Sequence, residues 1–383
     1  MKVAIVGGGI GGLTAAIALD RKGVEAQVFE QAPELTEVGA SLQLGPNAVR
    51  LLAELGLLPR LRGLGARPDV VELVRWNDGT VLLHTELGAA AEEYFGAPEL
   101  DFHRADLQRL LFEAQQPGVV RLGTRVLLVD QEPDGVTVHL ADGSSVRADV
   151  AVAADGIRSP IRQQLAGSDS PMFSGSLVYR GVVGRNAVAH LHPDRLNLYW
   201  LGPRRHGVAY WIARGRLLAV NCAVKDADWA LESWTTEASA GEALPFFEGW
   251  DATLIELILH TETMLRGAVF VRRPLPHWSF GRVTLLGDAA HAMEPFQAQG
   301  AAQAVEDAYV LAECLAADPE NVPSALIRYE SVRMDRGRML QQSSSAAADD
   351  FYLPDGPEQQ ERDILYSELH RKQPWGLRQP IWE

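Results

Sequence analysis

The run Val3-Ala4-Ile5-Val6-Gly7-Gly8-Gly9-Ile10-Gly11-Gly12, continuing through Leu13, Ala16, Ile17 and Leu19 to Gly23, decides the fold. Val3–Val6 is short, apolar and rich in β-branched residues, the pattern of a strand buried on both faces. The apolar residues from Leu13 to Leu19 follow helical spacing, Gly23 ends that helix, and Val24–Phe29 reads as a second strand. The result is a βαβ unit in which Gly7, Gly9 and Gly12 fit G-x-G-x-x-G between strand and helix. Glycines there permit a tight turn and a close backbone approach to a pyrophosphate, which the helix N-terminus attracts. Glu30 lies 18 residues beyond Gly12, at the end of the second strand, where a carboxylate accepts hydrogen bonds from a ribose diol. A glycine-rich turn beside a surface Glu is the plainer alternative, and the motif alone does not separate FAD from NAD.

Outward from this unit, a helix is expected from Pro46 to Leu55, extended chain over 70–84, and a helix from Arg104 to Ala114. Residues 119–154 read as three or four strands, the last being Val150–Ala154. Beyond Pro171 the texture changes. Strand-like runs at Leu177–Val183, Leu196–Leu201, Val208–Ala213 and Leu217–Val224, rich in Trp and Tyr, read as a separate antiparallel sheet. A helical stretch from Asp226 to Leu259, a buried strand Val283–Leu286 and helices over 299–317 and 323–346 follow. The tail after Asp350, with Pro354, Pro357, Pro374 and Pro380, reads as short helices and loops on the surface. The expected fold class is α/β (α+β overall). A Rossmann-like, mostly parallel domain takes residues 1–70, 101–170 and 276–345; an antiparallel-sheet substrate domain takes 71–100 and 171–275; and 346–383 forms a helical or irregular tail.

The 383 residues suffice for about two domains with a sizeable core. With 35 basic against 50 acidic side chains the net charge is −15, so no nucleic acid or anionic membrane partner is expected. No apolar run is long enough for a membrane span, and no signal peptide pattern opens the chain. Two distant cysteines, Cys222 and Cys314, exclude a disulfide framework and fit a reducing, cytoplasmic setting. His190-x-His192 has no acidic or thiol partner at ligand spacing, so no metal site is expected. The absence of a G-x-S-x-G elbow removes support for hydrolase chemistry.

Two further segments carry acids after buried strands. Ala154-Asp155-Gly156-Ile157-Arg158-Ser159-Pro160-Ile161-Arg162 either touches a ligand or is an ordinary turn with a helix N-cap. Gly287-Asp288-Ala289-Ala290-His291 through Pro295 to Gln299-Gly300 either binds a polyol chain or merely connects strand to helix. Taken together, the three segments resemble the FAD-dependent aromatic hydroxylases, the single-component flavoprotein monooxygenases of the p-hydroxybenzoate hydroxylase type. Gly39–Asn47, His103–Leu107 and Tyr179-Arg180-Gly181 are most similar to the salicylate hydroxylase and 6-hydroxynicotinate 3-monooxygenase branch, over about residues 1–345.

The resemblance implies that Gly7, Gly9, Gly12 and Glu30 hold the ADP half of FAD, and that Arg104 meets the flavin side. Asp155 would link FAD to a transient nicotinamide site, Asp288 would bind the ribityl and pyrophosphate region, and Pro295, Gln299, Gly300 and Ala301 would flank the isoalloxazine. It further implies reduction by NADH or NADPH and oxygen transfer from a C4a-hydroperoxyflavin to an electron-rich ring. With a single dinucleotide fingerprint, the nicotinamide is a visiting co-substrate and O₂ the oxidant. This chain departs from the family at Ala298, where Gly is frequent, and at Gln43, where the hydroxynicotinate branch carries His. His206 and Tyr210 match that branch's H-x-x-x-Y pair.

Four residues apart on a strand, His206 and Tyr210 share a face, and an imidazole of ordinary pKa, about 6.5, suits a general base acting on a ring hydroxyl. The alternative is a solvated His206 in the Arg204–Gly207 turn. Arg180 either forks onto a substrate carboxylate or forms a strand-end ion pair. His291 reads as organising its turn. The expected substrate is a small anionic aromatic, a hydroxy- or amino-hydroxybenzoate or a hydroxypyridine carboxylate, hydroxylated with or without loss of CO₂, by a monomer or homodimer. A flavin epoxidase or tailoring oxygenase of larger aromatic natural products, and a non-catalytic nucleotide-binding or redox-sensing protein, are the competing readings. A flavin halogenase lacks its W-x-W-x-I-P segment here.

Overall fold

The computed structural model of the chain describes residues 1–35, 41–167, 169–225, 236–261, 263–372 and 374–383. Gly39 and Ala40 of the Gly39–Asn47 segment, and residues 226–235 of the expected 226–259 helix, lie outside them. The strand Lys2–Val6 sits inside a six-stranded sheet, parallel to Glu25–Phe29 on one side and to Val150–Ala153 on the other. Val283–Leu285 extends the sheet in parallel beyond Val150–Ala153. The buried stretches Val3–Val6 and Val150–Ala153 are apolar because both faces are covered, helix Ile10–Arg21 and the antiparallel meander of residues 126–148 packing into the same core. Between them the chain makes an antiparallel meander, Val126–Glu132, Gly135–Leu140 and Ser145–Ala148. With Val120–Arg121 and Val150–Ala153, residues 119–154 hold five strands rather than three or four.

The second large sheet has eight strands. Its order is Thr236–Ala238, Met264–Val271, Met172–Gly184, Leu217–Lys225, Arg205–Ile212, Leu196–Gly202, Val70–Arg75 and Val81–Glu86. The expectation of a purely antiparallel sheet needs correction: Leu196–Gly202 pairs in parallel with Val70–Arg75. That pairing joins segments more than 120 residues apart, and local strand propensity carries no signal of so remote a partner.

The 226–259 stretch is not one helix. Thr236–Ala238 is a strand, Ala240–Ala243 and Leu244–Phe247 are single helical turns, and only Ala252–Leu259 is a regular helix. Pro245 and Gly249 interrupt it, Gly249 at φ 79°. Helix Gly300–Ala317 falls where expected, whereas Val322–Phe351 runs past the expected end at 346.

The tail is the largest correction. Helices Pro357–Lys372 and Gln379–Trp382 bury Tyr366, Ile381 and Trp382 against one face of the eight-stranded sheet, in a cluster with Leu73, Leu83, Tyr199 and Tyr210. The exposed prolines hid an apolar set whose spacing is not periodic.

Candidate active site

The glycine loop is shaped for close backbone approach. Gly7 has φ 104°, and a Cβ there would lie 2.4 Å from the Ala154 carbonyl oxygen. A Cβ on Gly12 would lie 2.0 Å from the Gly7 carbonyl oxygen. Gly9, at the N-cap of Ile10–Arg21, instead faces open space. Glu30 closes the loop from below: its Oε2 accepts from the Gly8 N–H at 2.6 Å and its Oε1 from the Ala32 N–H at 2.8 Å.

The second and third motifs are clamped to each other. Ser159 caps helix Pro160–Ala166, its Oγ accepting from the Arg162 N–H at 2.8 Å. The buried Arg162 guanidinium then donates to the Ala289 and Ala290 carbonyls, each at 3.0 Å, and pairs with Asp169. The N-cap reading and the ligand-site reading of this segment therefore both have a footing, because the cap aims the arginine that holds the Asp288 turn. Asp155 sits beside this clamp with both carboxylate oxygens buried and outside standard hydrogen-bond geometry. Burial pushes its carboxyl up to about 6, with the Ser159 hydroxyl and nearby backbone N–H groups opposing.

Asp288 is exposed at the start of its turn, and a Cβ on Gly300 would sit 3.8 Å from its Oδ1. Arg104, at the first position of helix Arg104–Glu113, is half-buried within electrostatic range of Asp288; desolvation lowers its pKa while Asp288 opposes that. His291 lies buried with Nε2 2.6 Å from Asp307 Oδ2, and the same oxygen accepts the Gly287 N–H at 3.0 Å. Burial would raise the Asp307 carboxyl, but His291 and Arg333 hold it down at about 2. His291 thus fastens its own turn to helix Gly300–Ala317.

Pro295 is exposed and Ala301 half-buried beside Gly300, but Gln299 is buried. Its Oε1 accepts from Asn47 and Gln303, both at 3.1 Å, so its side chain serves the protein interior. Ala298 has φ 54°, a left-handed conformation, which explains physically why glycine suits this position.

Cross-strand register places the candidate substrate residues together. Arg180 opposes Asn221, Asn221 opposes Val208, and Val208 opposes Tyr199, making one row across four strands. Side chains two residues apart on a strand share a face, so Arg180, Asn221, Tyr210, His206 and Tyr199 all point to the same side. The strand Ser41–Leu44 lies over this face, with Ser41 Oγ 2.7 Å from the Tyr210 hydroxyl. Arg180 is in the body of its strand, not at an end. Burial lowers its pKa to about 10, with neighbouring Arg104 adding to the shift and Tyr210 opposing it. The order Asp288, Arg104, Arg180, Tyr210 therefore runs from the nucleotide turns to the sheet face.

His206 requires a correction on two counts. It is buried on strand Arg205–Ile212 rather than solvated in a turn, packed against Phe296 (5.2 Å), Tyr352 (5.5 Å) and Phe351 (5.7 Å). That burial pushes its pKa down to about 3, so the imidazole is neutral at physiological pH and is not a base poised near 6.5. The Phe296 contact brings the Pro295–Ala301 segment onto the sheet.

Sequence reasoning missed Ser41, Tyr199, Asn221 and Arg378. Their only sequence signals were the two-residue alternation of their strands and, for Arg378, none. No cluster that would hold a metal ion occurs among the described residues. The cradle at Gly9, the orphaned Asp155 carboxylate and the Arg104–Asp288 pair fit a flavin dinucleotide. Gly7, Gly9, Gly12 and Glu30 would hold its ADP end and Asp288 its middle.

A nucleotide loop, two clamped acid turns and a cationic sheet face meeting them define a flavoprotein oxygenase. The chain belongs to the FAD-binding-domain family, whose signature matches residues 1–344, and it is an FAD-dependent aromatic hydroxylase. It is 43% identical to the 3-amino-4-hydroxybenzoate 2-monooxygenase PtmB3 of Streptomyces platensis, over 94% of this chain and 91% of that protein. It is 35% identical to the 6-hydroxynicotinate 3-monooxygenase of Pseudomonas fluorescens, over 90% of each. In structure it is similar to the R204Q form of Klebsiella pneumoniae HpxO complexed with FAD, with TM-score 0.90, 27% identity and coverage of 100% and 98%. Among the described residues no helix is long and apolar enough to cross a membrane.

Proposed function

We propose that the chain hydroxylates an anionic amino-hydroxybenzoate or a close analogue, with NADH or NADPH as a visiting reductant and O₂ as oxidant. The observation that carries this reading is the half-buried Arg180 on a sheet face shared with Tyr210, next to Arg104 and the nucleotide turns. FAD, when bound, supplies hydride acceptance and oxygen activation. Arg180 binds the substrate carboxylate through its planar fork. The Tyr210 and Ser41 hydroxyls orient a ring hydroxyl, and the nearby guanidinium charges favour that hydroxyl's ionised form. His206, neutral and with Nδ1 lacking a partner, forms a hydrogen-bonding wall against the ring. Phe296, Phe351 and Tyr352 close that wall, which supports a small ring over a bulky natural product.

The 43% identity to an aminohydroxybenzoate enzyme supports this substrate class. Gln43, in place of the hydroxynicotinate branch's His, argues against 6-hydroxynicotinate itself. Two free, buried cysteines support a cytoplasmic setting. The test is NAD(P)H oxidation by the FAD-loaded protein against a panel of aromatic acids, scored for hydroxylated product rather than peroxide. Coupled turnover of an aminohydroxybenzoate is expected. Coupling only with uncharged aromatics would overturn the reading.

A further inference from the structure

Arg378 belongs to the turn Gly376–Arg378, far along the chain from every motif, yet it reaches the substrate face. Its Nη2 donates to the Tyr199 hydroxyl oxygen at 3.0 Å and its Nε to Glu99 at 3.2 Å, with the guanidinium over the Tyr199 and Trp382 rings. The Tyr199 hydroxyl in turn donates to Gln43 Oε1 at 2.7 Å. Asn197 Nδ2 joins Glu99 (3.3 Å) to Asp101 (2.9 Å), the residue opposite Gln43 in the Ser41–Leu44 ribbon.

The polarity of this chain of bonds is fixed. Arginine has no acceptor, so the Tyr199 oxygen accepts and its own proton goes to Gln43. The Gln43 amide carbonyl is thereby held toward Tyr199 and its NH₂ group directed away. Gln43 stands two residues from Ser41, on the same side of a strand whose Ser41 bonds Tyr210.

We propose that Arg378 is a positioning residue that acts through Tyr199 to lock the Gln43 amide, and so sets which substituted aromatic acid the face accepts. This rests on the reading of the Arg180–Tyr210 face as the substrate site. The test uses the full-length, FAD-loaded protein with Arg378→Gln, Arg378→Lys, Tyr199→Phe and Arg180→Ala. The readouts are KM, kcat for NAD(P)H oxidation, coupling to product and the ranking of an aromatic-acid panel.

Arg378→Gln and Tyr199→Phe should each raise KM about five- to tenfold, the equivalent of one hydrogen bond. Both should lower coupling and reorder the panel while kcat moves less than twofold, and Arg378→Lys should recover part of the loss. If Arg378→Gln fails to load flavin, Tyr199→Phe decides alone. Unchanged KM and panel ranking in folded Arg378→Gln and Tyr199→Phe, with Arg180→Ala impaired, would sink this inference and spare the substrate-site reading. An unimpaired Arg180→Ala would sink both.

Discussion

Ala298 and His206 show what a single side chain meets here. A left-handed alanine is strained by roughly 1–2 kcal/mol relative to a right-handed one. Ala298→Gly should therefore raise stability by about 0.5–1 kcal/mol once the extra freedom of the unfolded glycine is deducted, read as a higher melting temperature at unchanged flavin content. His206 makes stability depend on pH. The unfolded imidazole takes up a proton near 6.5, while the buried one resists until about 3, so the unfolded state binds more protons between those values. Its contribution is present above pH 6.5 and is lost as pH falls toward 3. His192, held near 4 by burial, acts in the same direction. Urea midpoints at pH 7 and 5 should show His206→Leu losing less stability on acidification than the parent, by on the order of 1–2 kcal/mol. That His206 and Tyr210 share a face was legible from their spacing; that Arg180 joins them was not, since it rests on cross-strand register. The pKa of His206 was not, since it depends on Phe296, Phe351 and Tyr352 arriving from distant segments.

At the scale of elements, the strand-then-acid turns were readable because each follows a short apolar run, and Asp155 and Asp288 follow two such runs that pair as neighbours. The clamp between them was not readable: the final arginine of the middle motif looks like any helical arginine until its carbonyl acceptors at Ala289 and Ala290 are in place. Arg162→Met keeps the volume but takes the donor from three carbonyl oxygens, those of Ala289, Ala290 and Arg273, and leaves Asp169 with Arg272 alone. A loss of about 3–5 kcal/mol is expected, together with a fall in the flavin-to-protein absorbance ratio. A variant that keeps full flavin content and its melting temperature would show that the two turns hold their positions without this arginine. The failed 226–259 helix has a simpler cause, since Pro245 and Gly249 were visible in the sequence and outrank apolar spacing.

The molecule as a whole gains its cofactor site only when three distant segments have met, so flavin binds the native state and not the unfolded chain. Free FAD at 100 times its dissociation constant should add about 2.7 kcal/mol to the unfolding free energy. A melting temperature indifferent to added FAD in the stripped protein would contradict the assembled site. The parallel seam between Val70–Arg75 and Leu196–Gly202 carries a separate consequence. The sheet that carries the proposed aromatic-binding surface is encoded in two blocks of the gene, with the segment bearing Arg104, Asp155 and Arg162 written between them. Swapping specificities among relatives by recombination thus takes a matched pair of grafts, and a single crossover leaves mismatched strands along the seam. Point substitutions along the row Arg180, Asn221, Val208 and Tyr199 are the shorter route to a changed specificity.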